Sequence, residues 1–235
     1  MNWLLDLTPD EWNAVRLSIK VATWAMFASL PVGIAIALLL ARGRFWGKSI
    51  LNGIVHVPLV LPPVVTGYLL LLGFGKRGPI GAFLAEHFGI VFSFRWTGAA
   101  LACAVMGFPL MVRAIRLSFE ATDRRLEDAA YTLGANGLIT FATVTLPLAF
   151  PGILAGMVLC FAKALGEFGA TITFVSNIPG ETRTLPAAIY TFTQVPGGDE
   201  GAMRLVAVAI VLSLGALVLS ELLSRRVALR VGGTA

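Results

Sequence analysis

The stretch that decides the fold is EDAAYTLGANGLITFATVTLP, residues 127–147. It is a short polar, helix-forming island between long apolar runs, and it returns to an apolar run through Leu146 and Pro147. A chain that only crosses a bilayer does not need such an island in order to fold. A chain that must present a contact surface to a soluble partner does.

The composition around this island indicates an integral membrane protein. The chain has 235 residues, of which 57% are hydrophobic and 13% charged, against roughly 25% charged residues in soluble domains. Apolar runs this long can cross the hydrocarbon core, and in lipid each must satisfy its own backbone as a helix. We therefore predict an all-α integral membrane protein, a single domain over residues 1–235, with about five transmembrane helices. The five apolar blocks are Leu17–Ala41, Leu51–Phe74, Thr97–Leu117, Leu148–Val175 and Leu205–Leu223.

The net charge of +5 comes from basic residues in short loops, which indicates membrane orientation rather than nucleic acid as a partner. Ten of the 18 basic residues fall on the side that carries the loop after block 3. We therefore expect that side to be cytoplasmic, with the N-terminus outside and the C-terminus inside. Arg16 and Lys20, just before block 1, argue the other way. The ten residues are Arg42, Arg44, Lys48, Arg113, Arg116, Arg124, Arg125, Arg225, Arg226 and Arg230.

The remaining chemistry-bearing residues do not form a metal or nucleotide site. Cys103 and Cys160 lie inside apolar blocks and have no ligand partner at metal spacing, so they are read as packing residues. The segment Gly43–Ser49 has three residues between its glycines, where a phosphate-binding loop needs four, and a membrane helix precedes it instead of a strand. We assign no catalytic residue, and any ATP hydrolysis belongs to a separate subunit.

Two places within the blocks carry unusual residues. Pro62 and Pro63 in block 2 bend a helix and free backbone carbonyls, which indicates either a packing kink or a flexible helix lining a pore. Lys163 and Glu167 stand four residues apart in block 4 and can pair on one helix face. Charges inside a membrane block are costly, so this pair either locks helices together or lies in a translocation path or its gate.

Two further patterns concern packing. Gly152, Gly156 and Cys160 recur every fourth residue and predict a smooth helix face that another helix can approach closely. In the outer connection after block 4, residues 185–193 lie between turn signals and predict a short interfacial helix.

The island itself predicts a short amphipathic cytoplasmic helix between transmembrane helices 3 and 4. Thr122 or Asp123 can cap its start, and Gly134 is suited to end it. Charged residues line one face, whereas the opposite stripe is apolar. The small alanines favour a close protein contact over lipid anchoring. The stripe is Leu126, Ala129, Ala130 and Leu133.

These residues resemble the cytoplasmic loop of binding-protein-dependent ABC importer permeases, in which Glu-Ala-Ala precedes a glycine and an Ile-x-Leu-Pro segment. The matching positions are Asp128, Ala129 and Ala130, then Gly134, then Val144–Pro147 with Leu146 and Pro147 at its end. Asp128 stands where the family has Glu, and Glu127 beside it leaves open which acid takes that role. The resemblance implies that residues 120–147 form the ATPase-coupling loop.

A narrower resemblance covers nearly the whole chain, since residues 165–185 are similar to the molybdate-type permeases of this family. It implies a multi-pass subunit of the bacterial inner membrane that imports molybdate or tungstate by alternating access. The implied partners are a second copy, two cytoplasmic ATPase subunits that use ATP and Mg, and an outer oxyanion-binding protein, while the chain itself binds no cofactor. Expected anion contacts are Lys163, Arg95, Arg183, Thr171, Thr173 and Ser176.

Three alternatives remain at this stage. A sulfate or thiosulfate permease shares the Gly-Glu-Phe-Gly element, residues 166–169. A membrane-embedded enzyme would use Glu167, but it needs a second polar centre. An ATP-independent channel or secondary transporter predicts transport with no partner at the loop.

Overall fold

The fold is helical throughout the described residues. The computed structural model describes residues 7–232, with side chains described through residue 218 and at Leu222. Asp6 and the side chains of Arg225, Arg226 and Arg230 lie outside the described part. The helices are α1 Pro9–Arg42, α2 Lys48–Val60, α3 Pro63–Phe74, α4 Pro79–Phe88, α5 Trp96–Ala121, α6 Arg124–Thr132, α7 Gly137–Thr140, α8 Leu146–Leu165, α9 Gly169–Val175, α10 Leu185–Thr193 and α11 Asp199–Gly232; a π-helical segment, Phe141–Thr145, joins α7 to α8.

The described residues contain four or five candidate membrane-spanning helices, depending on how one bent pair is counted. The spans Pro9–Arg42, Trp96–Ala121, Gly137–Leu165 and Asp199–Val218 are each long and apolar enough to cross a bilayer. The bent pair α2–α3 completes the fifth. The predicted all-α membrane protein with about five spans is therefore confirmed.

The centre of the fold is a bundle of α1, α5 and α8, in which small residues allow close contact. A Cβ atom on Gly156 of α8 would lie 2.9 Å from the Met111 carbonyl oxygen of α5. A Cβ atom on Gly107 of α5 would lie 2.7 Å from Cys160 Sγ of α8. The predicted small-residue face is confirmed, with α5 as its partner. Cys103 and Cys160 are both buried free thiols in this bundle.

Two of the predicted blocks are not single helices. Block 2 is broken by a 113° bend between α2 and α3, where Pro62 caps α3 and Pro63 is its first residue. Neither proline can donate a backbone N–H, so the hydrogen-bond ladder stops there. Within block 4, helix α8 ends at Leu165, and α9 begins at Gly169 after a break of three residues. At its other end, block 4 extends back to Gly137, because α7 and the π-helical segment run directly into α8.

The end of the bundle that holds the starts of α1 and α11 is closed by α10, whose predicted range, Leu185–Thr193, is confirmed. It is not a peripheral interfacial helix, because Leu185 and Ala188 are buried against α1 and α11. The Leu185 amide donates to Ser18 Oγ of α1 over 2.6 Å. Helix α4, in the outer connection between blocks 2 and 3, was not predicted.

A buried ion pair also ties this end together. Glu11 on α1 is fully buried and accepts hydrogen bonds from Arg204 of α11, the shortest from Nη2 at 2.7 Å. The same carboxylate accepts from the Thr8 amide over 2.7 Å and so completes the capping box that starts α1. The start of α1 and the start of α11 are thereby joined.

Candidate functional site

Helix α6 is the product of local capping signals. The Asp123 carboxylate accepts from the Arg125 amide over 2.9 Å and caps the start. At the end, the Gly134 amide donates to the Tyr131 carbonyl and the Ala135 amide to the Ala130 carbonyl. This Schellman arrangement requires a left-handed residue, and Gly134 has φ +86°. The predicted Asp123 cap and Gly134 terminator are both confirmed.

No described residue covers the apolar side of α6 or the neighbouring start of α7. Leu126 is 49% exposed, Leu133 89% and Leu138 79%. Ala129 is exposed as well, whereas Ala130 is partly buried. Exposed apolar residues clustered on a helix and its flanking turn mark an interaction surface rather than a random surface leucine.

The adjacent acids Glu127 and Asp128 point to different surroundings. Glu127 Oε1 accepts from Arg42 Nη2 of α1 over 2.9 Å and from Thr145 Oγ1 over 3.0 Å. The side chains of Glu127 and Arg42 are each 17% exposed. Asp128 is exposed and has no hydrogen bond or ion pair with any described residue. Glu127 therefore anchors α6 to α1 and to Thr145 near the start of α8, whereas the Asp128 side chain stays exposed.

The Leu146–Pro147 end of the island explains the π-helical segment. The Leu146 amide donates to the Phe141 carbonyl five residues back, and Pro147 has no amide to donate. A proline ring also crowds the carbonyl four residues before it, which widens the preceding turn. Thr145, in this widened turn, is thereby placed within reach of Glu127.

The predicted pair of Lys163 and Glu167 forms at the opposite end of α8. Lys163 Nζ and Glu167 Oε2 are 2.7 Å apart, with 1% of the Glu167 side chain exposed and 30% of the Lys163 side chain. Glu167 lies beyond the end of the helix instead of on its face, and its Oε1 accepts from the Ala170 amide over 3.0 Å. One carboxylate therefore holds together the last turn of α8 and the first turn of α9.

Helix α9 crosses α3 at very short range, which brings Pro62 and Pro63 beside the break in block 4. A Cβ atom on Gly67 would lie 2.9 Å from Ala170 Cα, and one on Gly169 would lie 2.8 Å from Pro63 Cβ. The break at Pro62 and Pro63, which the sequence indicated, and the break after Leu165, which it did not, are thus one structural feature. Glu167 lies within the break between α8 and α9, two residues before Gly169.

Two of the three hydroxyl groups expected to contact an anion already donate hydrogen bonds to backbone carbonyls in this conformation. Thr171 Oγ1 donates to the Phe168 carbonyl over 2.9 Å and Thr173 Oγ1 to the Gly169 carbonyl over 2.8 Å. A hydroxyl has one proton to donate, so neither has one left for an anion here. Ser176 is exposed and has φ +66°, an uncommon conformation for a residue other than glycine.

The two outer arginines proposed as anion contacts do not join the Lys163 pair. Arg95 is exposed at the start of α5, and Arg183 Nε donates to Asn177 Oδ1 over 3.0 Å. The segment that imitates a phosphate loop, residues 43–49, is a turn in which Lys48 Nζ donates to the Gly43 carbonyl over 3.2 Å.

Sequence reasoning missed the two ion pairs that Arg42 and Arg204 make. Their partners Glu127 and Glu11 are 85 and 193 residues away in the chain. No periodicity or spacing connects residues so distant. The only available signal was that Arg42 and Arg204 each lie directly beside an apolar block.

Comparisons with known proteins agree on one family. Residues 29–229 match the model described as "Binding-protein-dependent transport system inner membrane component". The chain is 59% identical over 219 residues to the molybdenum transport system permease protein ModB of Escherichia coli (strain K12), covering 93% of this chain and 96% of that one. It is 57% identical over 222 residues to the ModB protein of Haemophilus influenzae (strain ATCC 51907 / DSM 11121 / KW20 / Rd), covering 94% and 97%.

Solved structures support the fold. A bacterial ABC transporter involved in the import of the polysaccharide alginate matches with a TM-score of 0.73 at 16% identity, covering 94% of this chain and 81% of that one. An amino acid ABC transporter crystallised with histidines matches with a TM-score of 0.66 at 22% identity, covering 93% and 94%. At these identities the likeness concerns the helical architecture alone.

Proposed function

Because the chain belongs to the family of binding-protein-dependent transport system inner membrane components, we propose that it is the permease subunit of an ATP-driven importer of molybdate, with tungstate as the related substrate. The observation that carries this proposal is the 59% identity over 219 residues to a molybdenum transport permease. The protein is a multi-pass membrane protein of a transport family, and its nearest functional class is transport rather than catalysis.

The subunit works, in this proposal, as a dimer with two cytoplasmic ATPase subunits and an outer oxyanion-binding protein. ATP and Mg are bound by the ATPase subunits. The exposed apolar side of α6, with Asp128 beside it, is the contact for the ATPase. The N-terminus lies outside and the C-terminus in the cytoplasm, which places α6 on the same side as the ATPase.

The contacts of α6 suggest how ATPase movement reaches the membrane. A displacement of α6 is transmitted through Glu127 to Arg42 of α1 and to Thr145 just before α8. Helix α8 then carries it to Lys163 and Glu167, which are joined to α9. Since α9 lies directly against α3, both broken spans respond together, as an alternating-access gate requires.

A charged oxyanion needs such a path because it cannot cross hydrocarbon unaided. A path with few strong contacts also favours release, since a tightly held anion leaves slowly. Lys163, Glu167, Pro62, Pro63 and Ser176 are the proposed path or gate residues, and Thr171 and Thr173 would act after their present hydrogen bonds rearrange.

The test is uptake by the complete complex in proteoliposomes, with molybdate, tungstate and sulfate in competition. We expect ATP-dependent molybdate uptake that tungstate inhibits and a large excess of sulfate does not. Uptake that sulfate or thiosulfate inhibits equally well would favour a sulfate-type permease. Uptake without ATP would refute the importer and indicate a channel.

A further inference from the structure

A polar cleft on the cytoplasmic half of the fold has no part in the function proposed so far. It lies between α2 and α5 and has a volume of about 310 Å³. Because one water occupies about 30 Å³ in the liquid, this space is large enough for a tetrahedral oxyanion together with part of its hydration. Its lining residues are Asn52, His56, Arg113, Arg116, Leu117 and Glu120.

The position of the cleft along the helices is unusual for so polar a lining. Arg113 precedes the end of α5 at Ala121 by eight residues, and His56 follows the start of α2 at Lys48 by eight. At 1.5 Å per residue, both side chains originate about 12 Å from the cytoplasmic ends of their helices. Ionisable groups at such depth face water-filled cavities or protein rather than lipid. We place the cleft on the aqueous side of the bundle.

The charge within the cleft is not balanced. Arg116 Nε is 2.7 Å from Glu120 Oε1, so these two neutralise each other. Arg113 is exposed and forms no ion pair or hydrogen bond with the described residues. One positive charge therefore remains available to an anionic ligand.

A neutral donor is also oriented toward this space. Arg116 Nη1 donates to Asn52 Oδ1 over 3.1 Å. Since the amide oxygen is the acceptor in that bond, the Asn52 NH₂ group is left with two protons to donate. Arg116 therefore orients Asn52, and Arg113 supplies the charge.

We propose that this cleft binds a tetrahedral oxyanion, chiefly the transported anion as it leaves toward the cytoplasm. This inference deepens the proposed function and depends on it for the identity of the anion. A guanidinium presents five N–H donors in a planar fork that matches two oxygens of such an anion. A single uncompensated cation in an open cleft gives the weak, reversible binding that a release site needs. The phosphate of an anionic phospholipid has the same chemistry and is the other source of ligand.

The first experiment measures binding without transport. Thermal unfolding of the permease with its ATPase subunits, without the binding protein, is followed while molybdate replaces chloride at constant ionic strength. We expect molybdate to raise the unfolding temperature of the wild type and of Arg44→Gln, and to leave that of Arg113→Gln unchanged. Arg44 is a matched control because it is an exposed cytoplasmic arginine outside the cleft. Equal responses of wild type and Arg113→Gln would overturn the site.

The second experiment measures uptake by the complete complex in two membranes, one of zwitterionic lipid and one containing anionic lipid. Arg113→Gln should lower the uptake rate about tenfold in both, because it removes a hydrogen bond to a charged group, and Arg113→Lys should restore part of it. A defect confined to the anionic-lipid membrane, with loss of co-purifying anionic phospholipid, would assign the cleft to lipid phosphate. Wild-type uptake by Arg113→Gln in both membranes would refute the proposal. Wild-type molybdate uptake itself tests the proposed function, so the two failures are distinguishable.

Discussion

The contrast between Glu127 and Asp128 leads to the sharpest prediction. Glu127→Ala removes the acceptor of two hydrogen bonds, one from Arg42 and one from Thr145. Arg42 Nε already has no hydrogen-bond partner, so its guanidinium would keep only the Thr122 carbonyl, 3.2 Å from Nη2. Asp128→Ala removes no contact with the described residues.

The magnitude follows from the type of bond lost. Hydrogen bonds to a charged group contribute about 1.5–3 kcal/mol each, so two at the low end give about 3 kcal/mol. Because both side chains are partly exposed and therefore screened by solvent, we reduce this sum to about 2 kcal/mol. Since 1.4 kcal/mol is a factor of ten, the docked arrangement of α6 would be disfavoured about 30-fold. We expect Glu127→Ala to assemble with the ATPase but to transport few anions for each ATP hydrolysed.

The assay measures uptake and ATP hydrolysis in the same proteoliposomes, together with the affinity of permease for ATPase. We expect Asp128→Ala to weaken that affinity while leaving the ratio of anions to ATP unchanged in assembled complexes. Thr145→Ala, which removes only one of the two bonds, should reduce the ratio by less than Glu127→Ala. The reasoning is refuted if Glu127→Ala and Asp128→Ala both lower the affinity and neither changes the ratio.

Three further predictions concern stability and local backbone. Gly156→Leu should abolish the monodisperse folded permease in size-exclusion chromatography, because its Cβ would meet the Met111 carbonyl at 2.9 Å, whereas Gly215→Leu, with nothing within 4 Å, should not. Glu11→Gln should lower the free energy of unfolding, measured by thermal unfolding, by about 3 kcal/mol, because it removes the carboxylate of the buried ion pair with Arg204. Asp10→Asn, at an exposed position, is the control, and equal effects of the two substitutions would contradict this account. Gly134→Ala and Gly134→Leu should impair uptake to the same extent, since no described atom lies within 4 Å of the added Cβ. The loss of stability, about 1 kcal/mol, comes from the backbone angle φ of +86° alone. A much larger effect of leucine would indicate a steric contact with the ATPase instead.

The sequence predicted best the elements that depend on local signals. Asp123 and Gly134 define α6 by their own capping chemistry, and the turn residues around α10 define its ends. The small-residue face of α8 was also predictable, because residues spaced four apart lie on one face of a helix whatever the rest of the chain does. Only its partner, α5, required the structure.

Features that depend on distant contacts were not predictable. Pro62 and Pro63 indicated a bend, but its size of 113° accompanies the packing of α3 on α9. The break after Leu165 was missed because Lys163 and Glu167 at a spacing of four fit an unbroken helix equally well. The role of Glu127 depended on Arg42, 85 residues away, and the sequence left it undecided between two adjacent acids.

The bend between α2 and α3 also constrains how the protein is made. With 13 and 12 residues, the two helices measure about 20 Å and 18 Å, so neither alone crosses a hydrocarbon layer of about 30 Å. A crossing of the bilayer by this segment therefore needs both helices together. Gly67 finds its partner Ala170 only after about 100 more residues are synthesised, which takes on the order of 5–20 s on the ribosome. The packing of α3 on α9 therefore forms later than α2 and α3 themselves, and a chain stopped before α9 should keep the break at Pro62 and Pro63 but lack this contact.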